Sequence, residues 1–263
     1  MFSQPQNRWQ AFAVHIGISA IIFVVLAAII VFIWYPDFLF QTDGGWQGIR
    51  LVAGVDFIIG PVLTLIVYKL GKPRLKMDLT LIGLLQIACL TYGMWLVYQQ
   101  RPLAVIYADE RFYTMSEGTF AVNEMDWTAI PMISNGKKPV WIFVDLPEEK
   151  EARTKMRLNQ LKEGLVHTRT SQYLPYTENV QRVAKLGASV EEVEEHTNLK
   201  PVHRESYMRF YPLSARYSDG LLGIDTRDGS VVELLEKDKT ADANKPLEKD
   251  ESAKEDDQLE EES

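Results

Sequence analysis

The sharpest candidate for side-chain chemistry in this chain is Asp56, which stands inside residues 51–68, a run whose other members are almost all apolar. An ionisable group in such a run is costly and marks either a function or a polar partner on a neighbouring segment. The residues alone leave both readings open. Gly60-Pro61 follows four residues later. Proline lacks the backbone N–H and frees a carbonyl, so the pair predicts a bent helix, with Thr64 placed to bond the freed group. His15 and Gln86 are the most polar members of two further apolar runs, residues 11–35 and 79–98. The chemistry open to these groups is holding a proton and hydrogen bonding between helices.

Elsewhere the pattern offers little to catalysis. His167, His196 and His203 lack HExxH or paired-cysteine spacing, and there is no GxSxG, Walker or GxGxxG motif. No catalytic residue, cofactor or metal is assigned. The single cysteine, Cys89, has no partner in the chain, which excludes a disulfide framework.

The elements that must carry these residues follow from where the charges lie. The 263 residues hold 28 Lys+Arg and 36 Asp+Glu, a net charge of −8, yet only six basic and four acidic residues precede residue 99. An acidic chain without a basic patch argues against nucleic acid as a partner. Residues 11–35, 51–68 and 79–98 are each near or above the length that crosses about 30 Å of hydrocarbon, and aromatic residues cluster near their ends. They predict three transmembrane helices, the first an uncleaved anchor rather than a signal peptide. Lys69, Lys72, Arg74 and Lys76 lie in the short loop between the second and third spans. The positive-inside rule puts that loop and the N-terminus in the cytoplasm, and everything after Tyr98 outside. Counted inward from Arg50, Asp56 sits about 9 Å below the outer interface.

Residues 99–235 read as an α+β domain. Residues 103–107, 111–115 and 140–145 are β-rich, residues 221–225 and 231–235 flank a hairpin turn, and charged helices start at 147, 177 and 189, the last with capping-box spacing between Ser189 and Glu192. Residues 236–263 hold 12 acidic and 5 basic residues and no aromatic, a composition that predicts a disordered acidic tail. The expected organisation is a transmembrane domain over 1–98, an exported domain over 99–235 and a tail over 236–263.

The membrane half resembles a known family. The stretch Gly54-Val55-Asp56-Phe57-Ile58-Ile59-Gly60-Pro61-Val62-Leu63-Thr64, then Gly71-Lys72-Pro73, Leu75-Lys76-Met77-Asp78-Leu79 and Leu85-Gln86-Ile87-Ala88-Cys89-Leu90-Thr91-Tyr92-Gly93, is similar to the TfpX/TfpZ family of type IV pilin accessory proteins. Arg8-Trp9-Gln10-Ala11-Phe12 with His15, Trp34-Tyr35-Pro36, Gly44-Gly45-Trp46 and Arg101-Pro102 agree with it. The likeness covers residues 8–110 closely and the later domain loosely. It implies a non-enzymatic, multi-pass protein of the bacterial inner membrane with a periplasmic domain, assisting the stability, assembly or display of its cognate type IV pilin. The implied partners are that pilin, other pilus assembly proteins and membrane lipid. It carries over Asp56, Gly60, Pro61, Thr64, Lys76, Asp78, Gln86 and Tyr92 as motif positions without a catalytic role. His15, Asp56, Gly60, Pro61, Thr64, Gln86 and Tyr92 form the candidate partner-binding or structural motif in the membrane. His15 and Gln86 enter from the cytoplasmic side, and Asp56 lies toward the opposite face. The alternative reading is a membrane-anchored sensor with a periplasmic ligand-binding domain.

Overall fold

A computed structural model describes residues 5–125, 130, 138–147, 149–160 and 164–236. The expected tail beyond Glu236 lies outside the described residues, as does Glu148 in the expected charged helix.

Three helices are long and apolar enough to cross a membrane: Arg8–Trp34, Gly45–Val67 and Leu75–Gln100. The first is α1 (Arg8–Ile29), capped by the Asn7 side chain, which accepts from Gln10 N–H, and prolonged by a π turn over Ile30–Trp34. After a short helical turn, α2 (Leu39–Thr42), the second comprises α3 (Gly45–Ala53), a π segment (Gly54–Ile59) and α4 (Gly60–Val67). The third is α5 (Leu75–Gln100).

The second and third helices start earlier than the apolar runs, at residues 45 and 75 rather than 51 and 79. Backbone breaks set these starts: Gly44 at φ +112° and Arg74 at φ +65° are left-handed and end the preceding chain direction. Polar residues then occupy the first turns. The bend expected at Pro61 takes the form of the π segment just before it, in which Gly60 N–H bonds back to Val55. One extra residue per turn there accommodates the donor that proline lacks.

The second helix packs against both others. Glycines set the approach: Gly48 faces Val97 and Ile30, and Gly93 faces Leu51, each where a side chain would collide. Tyr35 adds an O–H bond to the carbonyl of Val97 at 2.9 Å. Residues of α1, α4, α5 and the 69–74 loop line a cleft of about 840 Å³.

The described strands that follow form one mixed seven-stranded sheet of order β4-β3-β1-β2-β5-β6-β7. These are β1 (Pro102–Ala108), β2 (Arg111–Ser116), β3 (Val140–Val144), β4 (Tyr173–Pro175), β5 (Met208–Ser214), β6 (Gly220–Asp225) and β7 (Val231–Glu236). β1–β3 and β2–β5 are parallel and the remaining neighbours antiparallel. β1 is buried along its whole length because both faces of the sheet are covered. Its Val105 and Tyr107 join Phe112, Tyr211 and α8 (Tyr176–Val183) on one side. On the other, Ala104, Ile106 and Ala108 join Phe120 of α6 (Glu117–Val122) and Val166. The expected helices after 147 and 189 appear as α7 (Lys150–Leu158) and α9 (Val190–His196), and Ser189 and Glu192 close the capping box from both ends.

Phe38 and Leu39, in the loop between the first two long helices, belong to the core of this sheet and not to the helical layer. Phe38 stands edge-on to Trp141 at 6.2 Å, and Tyr217 N–H donates to Thr42 carbonyl at 2.9 Å.

Candidate partner-binding site among the three helices

Four of the residues singled out from sequence come together in one row of hydrogen bonds. Gln86 Nε2 donates to Asp56 Oδ1 at 2.8 Å and to Ser19 Oγ at 3.4 Å. Gln86 Oε1 lies 2.8 Å from His15 Nε2, and His15 Nδ1 lies 2.6 Å from Thr64 Oγ1. An amide oxygen only accepts, so His15 Nε2 donates to Gln86, and Nδ1 shares a hydrogen bond with the Thr64 hydroxyl. The row uses all three long helices, and Gln86 is its hinge.

Gly60 explains why the row can form. A methyl group there would run into both Gln86 Oε1 and His15 Nε2, so the His15–Gln86 bond passes directly over a bare backbone. Pro61, next to it, is buried at the start of α4. Thr64 has a different partner from the one expected of it: its hydroxyl reaches His15 on the first helix.

Asp56 is 0% exposed, and its Oδ2 has no hydrogen-bond partner among the described residues. The shallow depth expected for it came from counting from Arg50. Counted from Gly45, where the helix begins, it lies roughly 16 Å along the axis. The 2.8 Å bond from Gln86 sets Asp56 level with Gln86 along the helices.

Other candidates stand apart. Tyr92 is 62% exposed on α5 and stacks on Trp95 at 6.0 Å, away from the row. Asp78 pairs with Lys72 at 2.8 Å, and Lys69, Lys72, Arg74 and Lys76 remain near the turn that joins α4 to α5. In the sheet domain, His167 stacks on Tyr113 at 3.9 Å, and burial lowers its pKa to about 4. His196 bonds the carbonyl of Glu192, and His203 lies 3.9 Å from Glu205. No group of three metal-ligating side chains occurs among the described residues.

Ser19 was the member that sequence reasoning missed. It is one turn beyond His15, and its buried hydroxyl faces the same row, a signal that i, i+4 spacing on α1 contains. Asp43, next to Thr42 at the junction with the sheet, was also missed. It is 5% exposed, accepts from the Thr42 hydroxyl at 2.6 Å, and has its pKa raised by burial.

A row of hydrogen bonds among three apolar helices ties their register together, with Asp56 Oδ2 left as its one unpaired buried oxygen among the described residues. Three relatives are similar to this chain in sequence. The fimbrial assembly proteins of serogroup I and serogroup E1 of Dichelobacter nodosus are 33% and 32% identical to it over 115 residues, 43% of this chain and 44% of theirs. The fimbrial assembly protein of serogroups C1 and C2 of the same organism is 32% identical over 115 residues, which is 87% of its length. The chain belongs to the fimbrial assembly protein family. Its match spans less than half the length of the first two relatives. No family model matches the chain, and no solved structure matches it.

Proposed function

We propose that this member of the fimbrial assembly protein family is a non-enzymatic accessory protein of the TfpX/TfpZ type, which assists its cognate type IV pilin toward stability, assembly or surface display. In this reading the three long helices span the bacterial inner membrane, with the N-terminus and the Lys/Arg-rich loop in the cytoplasm and the sheet domain in the periplasm. Three relatives named for fimbrial assembly support it. The carrying observation is that the helical layer and the sheet are fastened to each other by Phe38, Leu39 and Thr42. A pilin before assembly is a membrane helix bearing a globular head. A partner whose spans and exported domain are held at a fixed spacing can touch both parts.

The His15–Gln86–Asp56 row takes a structural part in this reading. Its groups bond one another, so the faces left for the pilin helix are the outward ones, including that of Tyr92. The test is deletion of the gene, with surface pili and total pilin measured. Loss of pili, restored by the intact gene, is expected. Normal piliation with normal pilin levels overturns the proposal.

A further inference from the structure

We propose that the cleft between α1 and α5 is a binding site for one anionic phospholipid, with an acyl chain against the helix walls and its phosphate among Lys72, Arg74 and Lys76. The inference needs only that the three helices lie in a membrane and is independent of the pilin reading.

Three features of the cleft match an amphiphile. Its walls are hydrocarbon: Val14, Ile18 and Ile22 follow one face of α1, and Leu79, Ile87 and Leu90 one face of α5. Its mouth is cationic, because Lys72, Arg74 and Lys76 all line it at the end where α5 begins. Asp78 is the opposing charge there, and it is engaged by Lys72 at 2.8 Å. Among the described residues Arg74 and Lys76 have no carboxylate partner. The start of a 26-residue helix adds the positive end of its dipole at the same place. Its volume of about 840 Å³ is in the range of ligand sites, roughly 300–1,000 Å³.

The floor decides between a lipid and a protein helix. His15, Thr64 and Gln86 reach the cleft, but His15 is bonded to Thr64 and to Gln86 Oε1, and the Gln86 amide donates to Asp56 and Ser19. They offer no free donor to a polar side chain of an incoming helix. A hydrocarbon chain requires none, and all the uncommitted charge is at the mouth, where a phosphate would sit. Basic pockets between spans are a general means of holding anionic headgroups.

Gly83 supplies a clean test. It lines the cleft, and apart from its own stretch of helix no protein atom lies within 4 Å of where its Cβ would stand. Gly83→Phe therefore starts from open space and projects its ring into the cleft. The full chain, purified in neutral detergent, would be offered phosphatidylglycerol, phosphatidylcholine or inorganic phosphate, and binding read by native mass spectrometry. One phosphatidylglycerol per chain is expected, retained in preference to phosphatidylcholine and not displaced by millimolar phosphate. Each cation beside an anionic headgroup is worth roughly a fivefold gain, so Arg74→Gln with Lys76→Gln should weaken retention at least tenfold. Gly83→Phe should abolish it while leaving helix content and melting temperature unchanged. Equal retention of the two lipids, wild-type retention by Gly83→Phe, or displacement by inorganic phosphate overturns the proposal. So does a photo-crosslinker at residue 83 that captures a protein in membranes and no lipid.

Discussion

Gly60 is the residue on which the helical layer turns, because the bond between His15 and Gln86 passes over it. Gly60→Ala should separate that pair and leave the Gln86 amide and the imidazole short of partners, at a loss of roughly 1–3 kcal/mol. Gly83→Ala, on α5 in open space, serves as the control and should change little. Melting of the detergent-solubilised chain distinguishes them, and Gln86→Leu combined with Gly60→Ala should add almost nothing to Gln86→Leu alone. His15, Asp56 and Gln86 were each visible in the sequence because a polar residue in an apolar run is conspicuous. Their union was not, since it depends on how three separate helices are rotated and where each begins. Counting from Arg50 rather than from Gly45, five residues earlier, set Asp56 apart from Gln86, to which it is bonded. Ser19 escaped notice because a serine on an apolar helix is unremarkable until its neighbour is known.

At the scale of elements, strands with uninterrupted β-branched and aromatic residues were legible, and β5 and β4 were not. β5 contains Pro212, which argues against a sheet interior, yet it lies one residue outside the two-residue pairing with β2. β4 is only three residues long and carries no periodicity to read. The stretch before α3 contributes Phe38 and Leu39 to the sheet and Asp43 to the junction, a role that its sequence does not signal. Burial raises the pKa of Asp43, so its folded value is above the unfolded one. Such a group favours the fold when protonated. Its contribution is complete below the ordinary aspartate range and is lost as pH rises through the raised value. Asp43→Asn should therefore melt higher than wild type at neutral pH. The gap should narrow as the pH is lowered toward 4, in a series of thermal melts at fixed ionic strength.

Over the whole molecule, the mean acidity conceals three unlike parts, with net charges of +2 over residues 1–98, −3 over 99–235 and −7 over 236–263. Splitting the charge in this way made the helical layer legible before any element was drawn. It also suggested a clean division at residue 98, and here packing intervenes. A sheet domain cut at residue 99 would lose Phe38 and Leu39 from its core, and truncations of this kind typically cost about 2–5 kcal/mol each. The fragment 99–236 should therefore be soluble only in part and bind a hydrophobic dye, and adding residues 36–44 through a linker should restore cooperative melting. A sharp, unassisted transition from the bare fragment would count against this.

The seating of Phe38 and Leu39 also bears on how such genes can exchange parts. A crossover at the end of α5 would set one lineage's loop beneath another lineage's sheet, with Trp141 and its neighbours shaped for a different pair of side chains. The unit that can be inherited intact is discontinuous, a nine-residue piece between two long apolar helices together with the strands encoded some sixty residues later. Variation in the loop and variation in the sheet should consequently travel together.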